Sequence, residues 1–218
     1  MTHPKPLIIA SDLEGVLVPE IWIAFAEATG IEELRLTTRE ISDYDKLMKM
    51  RIDILRQHKL GIVDIQKVIA TLRPLPGAAD FVAWVRSHSQ FIIISDTFYE
   101  FAAPLMAQMD FPTIFCHSLV IDGDGMIEGY RMRLEHPKRR TVAALHDIGF
   151  RVFAMGDSYN DIAMLQLADY SMLFAPPENV VADYPDFPIA RAYADVRAFL
   201  EANVLTPLPA ATGELNPA

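Results

Sequence analysis

The chain holds one cysteine, Cys116, which rules out an internal disulfide and makes a reducing, cytoplasmic setting the expectation. Basic residues are scarce as well. Nineteen Lys and Arg stand against twenty-nine Asp and Glu, a net charge of −10, and a field of that sign repels phosphate backbones and anionic lipid. Nucleic acid and membrane surfaces are therefore not expected as partners. No uncharged apolar run approaches the ~18 residues of a membrane span, and the run at residues 7–10 falls short of the apolar segment of a secretory leader. The six histidines form no zinc-binding spacing. Cys116-His117 lacks the partner pattern of a thiol nucleophile, so a buried cysteine is the expectation there.

Against these absences stands a composition ordinary for a folded chain, 51% apolar and 22% charged over 218 residues. A chain of this size buries roughly 70% of its unfolded surface, enough for one full core and a small accessory unit. Short apolar runs at residues 7–10, 91–94 and 152–155 each end in polar residues (Ser11-Asp12, Ser95-Asp96 and Gly156-Asp157) and read as strands buried on both faces. Helical patterns lie between them, at residues 78–88, 100–109, 139–148 and 161–168. This alternation predicts an α/β fold with a Rossmann-like parallel sheet flanked by helices.

Residues 19–72 break the alternation: segments 19–30, 43–58 and 63–72 all read as helices, with no strand between them. They predict an inserted all-helical cap over residues 19–73, with a core formed by residues 1–18 and 74–204. Pro74-Leu75-Pro76-Gly77 is a turn-rich junction suited to a hinge. Residues 115–121 and 126–134 flank Asp122-Gly123-Asp124-Gly125 and predict a small β-hairpin. That turn is no calcium loop, because Met126 and Ile127 stand where such a loop needs a ligand and a glycine. The ten methionines read as core filler. Residues 205–218, rich in Pro and Ala without periodicity, are expected to fray or pack loosely.

In an open parallel sheet, ligands sit beyond the carboxyl ends of the strands, and Asp12, Ser95 and Asp157 all fall there. Asp12 and Glu14 lie two residues apart; alone, they would make an unremarkable acidic turn. Asp157, with Asp161 four residues on, brings a second acidic strand end. Carboxylates gathered this way repel unless a cation lies between them, and hard oxygen ligands without His or Cys suit Mg²⁺. Helix capping or pairing with basic residues is the competing explanation. A small phosphorylated anion would in turn need a local cation or backbone amides to enter so acidic a site. Lys138, at a predicted helix start beside Pro137, is a candidate for that cation, although His136-Pro137-Lys138-Arg139-Arg140 also reads as a solvated basic run.

The order Asp12-Leu13-Glu14-Gly15-Val16, Ser95, Lys138, Gly156-Asp157-Ser158-Tyr159-Asn160-Asp161 resembles the four motifs of the haloacid dehalogenase superfamily of phosphohydrolases. It spans residues 12 to 161. Most phosphatases of that superfamily carry Asp where this chain has Glu14. The variant, together with residues 17–22 and 95–101, is similar to the bifunctional phosphoserine phosphatase/homoserine phosphotransferase group. The resemblance implies Asp12 as nucleophile, and a Mg²⁺ held by Asp12, Asp157 and the backbone carbonyl of Glu14. It further implies homoserine as an acceptor and a homodimer.

Physical chemistry supports the same roles. A carboxylate such as Asp12 can attack phosphorus in line and form an acyl phosphate. Ser95 and Lys138, with amides around Asp96 and Gly15 and with Asn160 nearby, would cradle the phosphoryl oxygens. Glu14 would serve as general acid and then base, with Asp161 in support. Phosphoserine also carries an ammonium and a carboxylate, for which Glu20 and Arg51 are the candidates. A helix N-terminus would equally favour Glu20, and a solvated helix face would equally explain Arg51. Two alternatives stay open: a phosphatase of the same superfamily acting on another small monoester, and a non-catalytic phosphoacceptor module.

Overall fold

The computed structural model describes residues 5–37, 40–41 and 43–205. Most of the segment expected to be loosely packed, residues 206–218, lies outside the described residues. Among the described residues there are seven strands, β1 (Leu7–Ser11), β2 (Gln90–Phe98), β3 (Thr113–Ile121), β4 (Ile127–Arg131), β5 (Arg151–Gly156), β6 (Tyr170–Phe174) and β7 (Ile189–Ala190). They form one sheet in the order β4-β3-β2-β1-β5-β6-β7, parallel except for β4. The three runs read as strands are thus β2, β1 and β5, side by side at the centre, where both faces are covered and the sequence must be apolar throughout.

Side-chain alternation splits the core into two layers. Ile9, Ile93, Phe153 and Met155 face one side, with Phe81 and Val85 of α4 (Ala78–His88) and Leu200 of α9 (Tyr193–Asn203). Ile8, Ala10, Ile94 and Ala154 face the other, with Val142 and Leu145 of α6 (Pro137–Asp147) and Leu165 of α7 (Ile162–Leu167). The first layer runs on into the inserted cap, built of α1 (Ile21–Thr29), a 3₁₀ turn (Glu32–Arg35), α2 (Tyr44–Gln57) and α3 (Ile62–Ile69). The two crossings between cap and core lie together, because Leu75 N–H donates to the Leu17 carbonyl at 2.8 Å.

The structure differs from expectation in three places. β2 does not stop before Ser95 but continues to Phe98, with α5 (Tyr99–Ala107) directly behind it. The expected hairpin is present as β3 and β4, but its first strand begins two residues earlier, at Thr113, and through its first half also pairs in parallel with β2. β6, α8 (Glu178–Asp183), β7 and α9 were not anticipated as elements. β7 is only two residues long, too short to leave a periodicity.

Candidate active site

Asp12 follows the last residue of β1, and its amide donates to the Met155 carbonyl at 3.0 Å, which continues the ladder with β5 for one more step. One carboxylate oxygen accepts from Leu13 N–H at 2.7 Å and the other lies 2.8 Å from Lys138 Nζ. Lys138 stands in the first turn of α6, buried rather than solvated. Its ammonium also bonds Asp161 Oδ1 at 2.6 Å and lies 3.9 Å from Asp96 Oδ2. Burial alone would disfavour that charge, but Asp12, Asp161 and Asp96 outweigh it and hold the pKa well above the ordinary lysine value. For Asp12 the balance reverses. Burial, with repulsion from Asp161 and Asp157, raises its pKa despite Lys138.

Two glycines make this density of charge possible. A Cβ on Gly15, whose φ is +76°, would sit 2.7 Å from an Asp157 carboxylate oxygen. A Cβ on Gly156 would fall 2.3 Å from Asp161 Cγ, and neither approach is sterically possible for a larger residue. Asp161, fully buried, accepts from the amides of Asp157 and Ser158 at 3.0 and 3.2 Å and so fixes the turn that presents Asp157.

Carboxylate oxygens of Asp12, Asp157 and Asp161 all lie within 4.8 Å of one another. An all-oxygen set of carboxylates brought this close suits a hard divalent cation such as Mg²⁺.

Glu14 reaches from the loop after β1 to the cap, accepting from Ile21 N–H at the start of α1 at 2.8 Å. Burial raises its pKa, while the Ile21 amide, the Thr97 hydroxyl and then Arg51 act in the opposite direction. A proton is thereby easier to hold at this position. Ser95 is buried, and its hydroxyl accepts from Thr97 N–H at 3.2 Å. Asn160 donates from Nδ2 to Asp96 Oδ2 at 3.0 Å and accepts from Ser158 Oγ at 2.6 Å. Its side chain thus engages the neighbouring turn.

A cavity of about 340 Å³ opens over these groups, and Asp12, Glu14, Gly15, Ser95, Asp96, Asp157 and Asn160 all line it. Glu20, Trp22, Tyr44 and Arg51 close it from the cap. Glu20 occupies the N-cap position of α1 without a side-chain capping bond. Arg51 is buried, with its guanidinium 4.4 Å above the Trp22 ring and NH2 donating to the Leu36 carbonyl at 2.9 Å. Burial lowers its pKa to about 10 although Glu14, Tyr44 and Glu20 support the charge. Its Nε has no hydrogen-bond partner among the described residues.

From the sequence alone no individual role in the site was expected for Trp22, Tyr44, Thr97 or His117. One signal for Arg51 was available: the buried face of α2 is Leu47, Met48, Ile52 and Leu55, and position 51 falls on that stripe.

A family profile of haloacid dehalogenase-like hydrolases matches residues 14–166, and the aspartate, the serine and the second acidic turn line one cavity, with the lysine buried beneath it against Asp12. The chain belongs to the haloacid dehalogenase-like hydrolases. Within this family it is 55% identical to phosphoserine phosphatase ThrH of Pseudomonas aeruginosa, over 90% of this chain and 96% of that one. It is 53% identical to a phosphoserine phosphatase of Pseudomonas syringae pv. tomato, over 87% of this chain and 80% of that protein. Among solved structures, a substrate-bound phosphoserine phosphatase complex superposes with a TM-score of 0.73 at 18% identity, covering 93% of this chain and 99% of the other. A phospho-aspartyl intermediate analogue of phosphoserine phosphatase gives 0.72 at 19% identity, over 92% and 99%. At those identities the likeness concerns the fold.

Proposed function

We propose that this haloacid dehalogenase-like hydrolase is a Mg²⁺-dependent phosphoserine phosphatase that works through an aspartyl phosphate on Asp12 and also transfers the phosphoryl group from phosphoserine to homoserine. The observation that carries the reading is the buried pair of Asp12 and Lys138, 2.8 Å apart, beneath a cavity whose cap side offers Glu20 and Arg51. The names of the two relatives above 50% identity support the choice of substrate.

In this mechanism an Asp12 carboxylate oxygen attacks phosphorus, and the bond from phosphorus to the serine oxygen breaks. Glu14 donates its proton to the departing oxygen, and serine leaves. The Glu14 carboxylate then takes a proton from the hydroxyl of water or homoserine as that oxygen attacks the phosphoryl group. Asp12 is released as a carboxylate, with inorganic phosphate or phosphohomoserine as product. Ser95, Lys138 and the amides near Gly15 and Asp96 stabilise the charge that spreads over the phosphoryl oxygens. Asp12 and Asp157, with the Glu14 carbonyl, would hold Mg²⁺, which supplies positive charge beside the phosphoryl oxygens. Glu20 faces the ammonium of the amino acid and Arg51 its carboxylate. A cytoplasmic homodimer completes the reading, supported by the lone buried Cys116 and by the family resemblance.

The test is turnover of phosphoserine with Mg²⁺, with and without homoserine, measuring inorganic phosphate and phosphohomoserine separately. The expected result is phosphate in both reactions and phosphohomoserine only in the second. Activity that survives excess chelator would refute the metal, and absence of phosphohomoserine would refute the transfer.

A further inference from the structure

The part of β2 that carries Ser95 is where the strand loses its regular pairing. β1 pairs with β2 only as far as Ile93, and β3 pairs with it to Ile94 and then resumes at Phe98 after a shift of register. Residues 95–97 therefore have no paired register on either side, although a phosphoryl cradle needs its donors placed within a fraction of an ångström. Side chains take over that task at Asp96. Its Oδ2 accepts from Asn160 Nδ2 at 3.0 Å, its Oδ1 faces His117 Nε2 at 3.5 Å, and its carbonyl accepts from the Tyr44 hydroxyl of the cap at 3.1 Å.

His117 is buried on β3, two strands away from Asp12. Its Nδ1 accepts from Arg133 N–H at 3.1 Å. An imidazole nitrogen that accepts carries no hydrogen, so the ring hydrogen is on Nε2. That nitrogen is buried and completes no hydrogen bond among the described residues, and the Asp96 carboxylate lies 3.5 Å from it, close enough for a small shift to bring the donor into range. A carboxylate beside a site for a phosphorylated anion would normally repel the ligand. Here burial, which would raise the pKa of Asp96, is outweighed by Lys138, His117 and Asn160, and the group titrates at about 2.

We propose that His117 is a positioning residue for the phosphoryl-binding end of β2: by donating from Nε2 to Asp96 it fixes the segment Ser95–Asp96–Thr97, whose backbone lacks regular pairing in the sheet. This rests on reading that segment as the phosphoryl cradle. His117 touches no substrate itself, and nothing about its neighbours in sequence suggests the role.

Two substitutions separate the two hydrogen bonds of the ring. In His117→Gln the side-chain amide nitrogen replaces Nε2, keeping the donor to Asp96 and losing the acceptor for Arg133. In His117→Asn the side-chain oxygen replaces Nδ1, keeping the acceptor and losing the donor. Binding of inorganic phosphate in the presence of Mg²⁺, measured by titration calorimetry, reads the cradle without the amino-acid end of a substrate. His117→Asn should weaken phosphate binding about tenfold and His117→Gln by no more than about threefold, the low end of what outer partners of ligating groups contribute in metal sites. Ser95→Ala is the control for the cradle itself.

If wild type does not bind phosphate, or Ser95→Ala binds it as wild type does, the cradle reading fails. If Ser95→Ala weakens binding while the two His117 variants behave alike, the positioning role fails. A loss that follows thermal stability equally in both variants counts against it too. Should either variant not fold, nitrogen-15 spectra of the wild-type imidazole decide the matter: a hydrogen on Nδ1 rather than Nε2 overturns the proposal.

Discussion

The core and the cap contribute to the same cavity by opposite means. On the core side, Asp12, Lys138 and Asp161 form a buried cluster of mutually bonded charges, on a frame whose strands are paired on both sides. On the cap side, Arg51 rests on the Trp22 ring, the Met48 sulfur and the Leu36 carbonyl, and the cap shares an apolar layer with the core while its polar links to the core are single bonds. These include Tyr44 to Asp96, Gln66 to the Glu100 carbonyl at 2.9 Å, and Ile62 N–H to the Gly125 carbonyl at 2.9 Å. Disturbing the core side should therefore damage chemistry and folding together. Disturbing the cap side should alter which molecules are accepted and leave the rest standing.

Asp12→Asn is the severest break, expected to reduce phosphate release by a factor on the order of 10⁴ or more, since no carboxylate remains to be phosphorylated. The measurement is initial-rate phosphate release beside wild type. Lys138→Met follows, with an expected loss of ~10²–10³ in kcat. In chelator, urea unfolding should also show a destabilisation of about 3–5 kcal/mol, because three carboxylates lose the cation between them. A variant that loses activity but keeps its unfolding midpoint would mean that this cluster is not structural.

Arg51→Ala brings the two regions into contrast. KM for phosphoserine should rise about 10- to 100-fold, the range for hydrogen bonds to charged groups. Hydrolysis of p-nitrophenyl phosphate, which has no amino-acid carboxylate, should change little. Equal losses on both esters would erase the division between chemistry and recognition. Tyr44→Phe removes one bond across the boundary and should raise KM about fivefold, equivalent to roughly 1 kcal/mol. Steady-state kinetics on phosphoserine tests both variants.

The smallest effect belongs to a part of the core remote from the cavity. Burial would raise the pKa of Asp169, but the Val152 amide, which donates to it at 2.8 Å, and His146 at 2.9 Å depress it overall. A depressed carboxyl contributes stability above its unfolded pKa and loses it as pH falls through the folded value. Wild type should therefore be slightly more stable than Asp169→Asn near neutrality, and the difference should vanish on acidification into and below the carboxylate range. Thermal unfolding across pH would show this, and a gap that widened toward acid would contradict it.

Much of the core could be read along the chain because its signals are local. The runs ending at Asp12 and Gly156 are apolar without interruption because both faces of a central strand are covered, and helix α4 begins and ends as its pattern predicts. Lys138 was legible as a candidate cation but not as a buried one, since burial depends on α6 packing its first turn against the strand ends. Asp96 appeared in sequence only as the residue after a serine. Its partners Asn160, His117 and Tyr44 come from three other elements, and no spacing links them. β7, two residues long, left too short a trace to separate from the surrounding turns, while β6 is as long as β1 but opens on Tyr170-Ser171, so that its apolar run is only Met172–Phe174.

By itself the sequence determined where the chain alternates between strand and helix, where a run of helices interrupts that alternation, and which residue types stand at the strand ends, since hydrophobic period and turn chemistry act over a few neighbouring residues. Only the tertiary structure decided which charges face one another, which way the His117 ring donates, and that Arg51 lies over Trp22 rather than in water. Those outcomes depend on burial and on distances of a few ångströms between residues up to well over a hundred positions apart, where electrostatic strength is set by the packed surroundings and not by the order of the chain.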